Sequence, residues 1–197
     1  FYAKYVAGYT VAYELAGGSW DRSSVEKKNE GAKVYVANDT PTKTGYEFTG
    51  WTYSEDNSKM YHGNDTFTMP GKNVTLTANW APATNTGYTV EHYFQNVEND
   101  EYTLDASRTE PKTGTTGAST TAQAQTVDGF TAQPFEQETI AADGSTVVKI
   151  YYNRNTYNVT YKITGSYFAT EEYTKQENVR YGASLNLITD NMSKQGY

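Results

Sequence analysis

The 197-residue chain has no cysteine. That excludes a disulfide framework, a thiolate metal site and a cysteine nucleophile. Leucine is scarce, and hydrophobic residues make up 37% of the chain, a low share for a globular protein. Basic residues are outnumbered: 16 Lys+Arg against 23 Asp+Glu leave a formal charge of −7. Such a surface lacks the basic stripe that phosphate backbones or anionic headgroups require, so neither nucleic acid nor an anionic membrane surface is expected as a partner. No apolar run reaches the roughly 18 residues that mark a spanning helix, and no membrane insertion is expected in this stretch. Histidine is rare as well, with His62 and His92 the two present.

What the chain has in plenty is tyrosine, 19 residues of it, within an aromatic share of 15% that argues against disorder. Tyr and Thr suit a pleated, half-buried surface better than a helix interior, so composition leans towards β structure. Three segments open alike: Tyr9-Thr10-Val11-Ala12-Tyr13, Tyr88-Thr89-Val90-Glu91-His92-Tyr93 and Tyr157-Asn158-Val159-Thr160-Tyr161. Their spacing is too long for a solenoid and about right for small tandem domains.

Each opening alternates with period two, the pattern of a strand with one buried face. Tyr9, Val11, Tyr13 and Leu15 share a face, and Tyr157, Val159, Tyr161 and Ile163 repeat the arrangement. Closing strands are expected at 73–80, with Val74, Leu76, Ala78 and Trp80 inward, and at 145–152, with Val148, Ile150 and Tyr152 inward. Residues 1–7 resemble the end of 73–80 and read as the last strand of a preceding unit, as if this stretch were cut from a longer array. Modules are thus expected at 8–81 and 88–154, with a linker at 82–87 and a partial module at 155–197. Short helices are expected at 22–29, with Asp21 as N-cap, and at 118–126. The predicted fold class is α+β, β-dominated, with short helices crossing small sheets.

The first module resembles a known family. Tyr9-Thr10-Val11-Ala12-Tyr13, Gly17-Gly18, Pro41, Gly45-Tyr46-Glu47-Phe48-Thr49-Gly50-Trp51 and the closing strand to Trp80 resemble the Listeria-Bacteroides repeat, also called the internalin B-repeat. Residues 157–197 resemble part of another, and residues 88–154 look like a mucin-binding-protein repeat. That second likeness is carried by the opening strand at 88–93, Gly114-Thr115-Thr116-Gly117 and the run from Ile140 to Tyr152. The resemblance implies tandem β-grasp, ubiquitin-like modules in an elongated array on Gram-positive or related bacterial surface proteins. It implies no catalytic constellation. Within the motif, Phe48 is expected in the core; Trp51 must cover the opposite face of the sheet or reach the core through a bulge, and Gly50 leaves room for a close neighbour.

No site of chemistry emerges from the side chains. His62 and His92 fall in different modules and cannot form the several-ligand constellation of a zinc site, and His92 sits on the core face of Val90. Carboxylates cluster at Glu55-Asp56 and at Glu98, Asp100 and Glu101, but neither group matches a calcium loop. Gly114-Thr115-Thr116-Gly117 lacks a phosphate-binding lysine. No cofactor is expected, and no enzyme. Trp20, Tyr53 and Tyr61, near predicted turns, are the candidate ligand-contact aromatics, since flat rings give large contact area at low entropic cost. The expected role is a monomeric array in the extracellular space, the cell wall or the bacterial surface. It would act as spacer or stalk and as adhesin towards host glycoprotein, glycan or extracellular matrix. The rival is a carbohydrate-binding accessory module of an extracellular glycosidase.

Overall fold

The computed structural model describes residues 8–165 and 168–185. The expected closing strand at 1–7 and the end of the partial module lie outside them. Fourteen strands are described, and among the described residues the one helix is a single 3-10 turn at Ala106–Arg108, capped by Asp105.

The first sheet follows the alternation read from the sequence. Strands β1 (Gly8–Glu14), β2 (Val25–Asn29), β4 (Tyr46–Tyr53), β5 (Asp56–Tyr61) and β7 (Val74–Pro82) form one mixed sheet in the order β2-β1-β7-β4-β5. The central strand, β7, runs parallel to its neighbour β1, with Val11 opposite Val74 and Tyr13 opposite Leu76. The other pairings are antiparallel. A two-stranded ribbon, β3 (Lys33–Tyr35) with β6 (Thr66–Thr68), supplies Val34 and Phe67 to the same core.

Every inward position of β1 and β7 meets this core. Val11, Tyr13, Val74, Leu76 and Ala78 are buried, while Tyr9, Leu15 and Trp80 pack against them half-buried. The Trp80 indole donates to the Leu15 carbonyl at 2.9 Å, tying the far end of β7 to the exit of β1. The Tyr13 hydroxyl accepts from the Ala37 amide at 3.1 Å, and burial raises its pKa.

The position of Trp51 is settled by a register slip. Phe48 pairs with Trp80, but Gly50 pairs with Asn79, so one residue of β4 is unmatched. A bulge of this kind re-aims the following side chain. Trp51 therefore turns inward and is fully buried, edge-on to Tyr13 at 4.9 Å, with Phe48 at the same centroid distance. Gly50 sits at φ 141°, and a Cβ there would lie 2.8 Å from Met60 Cγ and 3.1 Å from the Tyr61 carbonyl. Both the backbone and the neighbours call for glycine.

Two helix expectations are corrected. Residues 25–29 are β2, paired in register from Ala12↔Val25 to Gly8↔Asn29. Their side chains alternate between exposed and half-buried, so the strand is held by its backbone ladder and leaves no hydrophobic period to read. Residues 118–126 are not helical either. Ser119 bridges Thr139, and the Thr120 amide donates to the Glu138 carbonyl at 2.8 Å. No helix crosses a sheet among the described residues.

The second sheet has the order β10-β8-β12-β11, with β9 on β8. Its strands are β8 (Thr86–Gln95), β9 (Tyr102–Leu104), β10 (Glu110–Gly114), β11 (Phe130–Ala132) and β12 (Val147–Arg154). Val148, Ile150 and Tyr152 are buried as expected. β7 runs through Pro82 and β8 starts at Thr86, so much of the stretch expected as a linker is strand. Strand β13 (Thr156–Gly165) pairs with β14 (Phe168–Arg180), with slips on either side of Val159. Tyr157, expected inward, is 52% exposed.

Backbone contacts group the chain into two units. Among the described residues, 8–89, 111–120 and 138–146 form one, and 90–110, 121–137, 147–165 and 168–185 form the other.

Candidate functional site

The structure sets two of the three aromatics singled out from the sequence, Tyr53 and Tyr61, against each other, with Trp20 elsewhere on the same core. Tyr53 is 8% exposed and belongs to the core, which corrects its reading as a ligand contact. Its ring lies 5.1 Å from Phe67 and 5.5 Å, edge-on, from Tyr61. Tyr61 is half-buried and also touches Phe67, at 5.4 Å. Trp20 packs between Tyr13 and Trp51, at 5.1 and 5.2 Å. The Arg22 guanidinium lies 5.0 Å over the Trp20 ring, so that face is already taken. Beside it is a recess of about 260 Å3 lined by Ser19, Trp20, Asp21, Arg22, Asp39, Thr40 and Thr42. Arg22 closes on Asp39 at 2.8 Å and on Glu26 at 2.9 Å, and its hydrogen bond holds the Asp39 carboxyl below the usual carboxylate range. Arg22 is thus held within the protein, between two carboxylates.

The other candidates are likewise occupied by structure. His62 is an exposed turn residue beside Asp65. Glu55 pairs with Lys72, Asp56 with Lys59, and Asp100 with Arg180. Asp56, Asp105 and Asp143 each accept from the hydroxyl and amide of a serine two residues on, which lowers all three carboxyl pKa values. Among the described residues no three His, Cys, Asp or Glu side chains come together as metal ligands. Thr116, within the Gly114–Gly117 stretch, is buried and shares a 2.6 Å hydroxyl contact with Thr86.

His92 is fully buried, as its place beside Val90 implied. Its Nδ1 lies 2.7 Å from the Tyr152 hydroxyl and its Nε2 lies 3.2 Å from Glu110 Oε1. With the proton on Nε2, the ring accepts from Tyr152 and donates to Glu110, and both nitrogens are satisfied. The Gln125 amide donates to the Tyr152 hydroxyl at 2.8 Å, and its side chain donates to Glu110 Oε1 at 2.6 Å. The cluster braces β8 against β12 and β10, with His92 and Tyr152 buried and the Glu110 side chain partly exposed.

One cluster was missed in the sequence. On the face of β12 opposite Ile150 and Tyr152, the Tyr151 ring stacks on Tyr93 at 5.1 Å and 27°, and meets Tyr102 edge-on at 5.2 Å. Lys149 sits 5.7 Å over Tyr93. The Tyr102 hydroxyl donates to Asn153 Oδ1, and Gln133 Nε2 donates to both at 2.6 Å. All three rings are half-buried. The signal was available: residues 149, 151 and 153 alternate with a buried set, so Tyr151 had to face outward on the same side as Tyr93.

Among known proteins, residues 9–79 match the model of the Listeria-Bacteroides repeat domain, the family that the motifs of the first module resemble. The chain is also similar to a solved structure, the Streptococcal High Identity Repeats in Tandem (SHIRT) domains 3-4 from cell surface protein, at 15% identity and a TM-score of 0.25, over 74% of this chain and 98% of that one. At that TM-score the likeness fixes neither fold nor role. No curated protein matches the chain.

Proposed function

We propose that this stretch is a non-catalytic repeat region of a bacterial cell-surface or secreted protein, acting as a spacer that carries other parts of its parent protein outward. The observation that carries this reading is the repeat-domain match over residues 9–79, on a module whose aromatics are largely committed to its own core. The reading extends to a β-grasp module at 8–81, a mucin-binding-like module at 88–154 and a partial repeat at 155–197. In favour of β-grasp is the order β2-β1-β7-β4-β5 around the parallel pair β1 and β7, with the β3–β6 ribbon contributing to the core where a helix would otherwise lie. The test is antibody labelling of residues 9–80 on intact bacteria that carry the parent gene. Labelling without permeabilisation is the expected result, and labelling only after lysis would overturn the reading.

A second reading, in which this stretch contacts glycan, is favoured by the Tyr93–Tyr151–Tyr102 face with its ring of amides and hydroxyls. Aromatic faces bordered by hydrogen-bonding groups suit sugar rings. On a glycan array, saturable binding lost in Tyr151→Ala but kept in Tyr61→Ala is the expected pattern. Absence of any binding removes this second reading and leaves the spacer role standing.

A further inference from the structure

Gly45 opens the Gly-Tyr-x-Phe-x-Gly-Trp motif, and its turn does more than lead into β4. The turn is closed by the Tyr46 amide donating to the Lys43 carbonyl at 3.0 Å, and Gly45 has φ +74°. A Cβ on Gly45 would lie 2.5 Å from the Ala142 carbonyl oxygen and 2.6 Å from both Ala142 Cα and Cβ. These atoms are backbone or rigidly attached to it, so they cannot rotate aside as a long side chain would. Ala142 belongs to a second turn, closed by the Gly144 amide on the Ala141 carbonyl at 3.1 Å and stiffened by Asp143 accepting from Ser145.

Three further bonds reinforce the same place. The Gly45 carbonyl accepts the Ala83 amide at 2.9 Å, and the Ala83 carbonyl accepts the Thr116 amide at 2.9 Å. The Thr116 hydroxyl lies 2.6 Å from that of Thr86, and both residues are buried. Every residue here falls within one contact unit, although the sequence assigns them to two modules and a linker.

We infer that the Gly45 turn is a docking surface for the turn of the module that follows, and that it makes residues 82–87 a fixed joint instead of a tether. The partner it fits is a tight turn with Ala or Gly at the contact and nothing larger, here residues 141–144. This stands on the contacts alone, whatever the parent protein does.

The absence of cysteine provides a clean test. Lys59→Cys and Glu138→Cys, at exposed positions in the full chain, take two nitroxide labels, and double electron–electron resonance reads the distance between them. Gly45→Asn keeps a residue that tolerates the left-handed backbone but adds the Cβ. Gly31→Asn is the control, because Gly31 has φ +79° with nothing within 4 Å. Ala142→Leu attacks the contact from the other turn. One narrow distance peak is expected in the parent and in Gly31→Asn, and its loss in Gly45→Asn and Ala142→Leu. Near-UV circular dichroism reports whether the first core stays folded; where Gly45→Asn loses that signal, Ala142→Leu alone decides. A broad distribution in the parent, or a narrow one kept in Ala142→Leu, overturns the inference.

Discussion

Trp51 is the residue whose replacement says most about the first module. It is fully exposed to neighbours and not at all to water: the Tyr13, Trp20 and Phe48 rings all lie within about 5 Å, and the side chain is 0% exposed. Trp51→Ala should cost about 3–5 kcal/mol, the usual loss when a large buried aromatic is truncated. A module of this size has a total stability of only a few to about 10 kcal/mol, so much of its margin would go. Trp51→Phe should behave quite differently. The Trp51 indole N–H is buried and has no hydrogen-bond partner among the described residues. A buried donor left unpaired costs about 1–3 kcal/mol, and phenylalanine removes it. Shrinking indole to phenyl forgoes about 1 kcal/mol of burial on the usual area scale, plus a cavity contribution. The two effects nearly cancel, and the net change should lie within about 1 kcal/mol of zero. Urea unfolding followed by far-UV circular dichroism measures both variants, with hydrogen exchange at the β7 amides assigning the transition to the first module. The reasoning fails if Trp51→Phe loses as much as Trp51→Ala, or if Trp51→Ala loses less than about 1 kcal/mol.

Three further outcomes follow from the same structure. Gly50→Ala forces a side chain into a backbone region that is nearly glycine-only and against the Tyr61 carbonyl, so a loss of about 2–4 kcal/mol is expected in thermal or urea unfolding. His92→Leu strands the Tyr152 hydroxyl proton and the Glu110 contact, at about 2–3 kcal/mol; in His92→Leu/Tyr152→Phe the loss should be smaller than the two single losses added, which a double-mutant cycle reads directly. Asp39, Asp56, Asp105 and Asp143 all have carboxyl pKa values lowered by their hydrogen bonds, to Arg22, Ser58, Ser107 and Ser145. Their stabilisation is therefore present above the ordinary carboxylate pKa of about 3.9 and is lost as pH falls through the lower folded values. Urea midpoints should fall on acidification through that window, and Asp39→Asn should flatten the slope.

The parts of the fold that announce themselves are those whose side chains alternate against a core. Val11, Tyr13, Val74, Leu76, Ala78, Val148, Ile150 and Tyr152 all point where period two sends them. Strand β2 is hidden because its one apolar residue, Val25, is 48% exposed, and its pairing is a matter of backbone bonds that no side chain advertises. The three-residue strands β3 and β6 are too short for any period. Trp51 lay at a fork, bulge or opposite face, because a register slip is a relation between two strands and cannot be read on one. Tyr53, read as a ligand contact, is buried for a related reason. Proximity to a turn says little about burial, and Tyr53 near a turn is as buried as Ala37. The outward rings of Tyr93 and Tyr151 need the pairing of β8 with β12 before they become neighbours.

The parallel pairing of β1 with β7 also determines how the first module answers tension. The chain enters at the start of one strand and leaves at the end of its immediate neighbour, both heading the same way. A pull on the two ends drags these strands past each other lengthwise. Their ladder bonds are then loaded together in shear, instead of being peeled open one after another as in a hairpin pulled from its open end. In single-molecule stretching the module should yield in one abrupt event at a force above that of any hairpin in the same chain, a mechanical fuse set by the two strands that carry the Tyr-x-Val-x-Tyr and Val-x-Leu-x-Ala signatures.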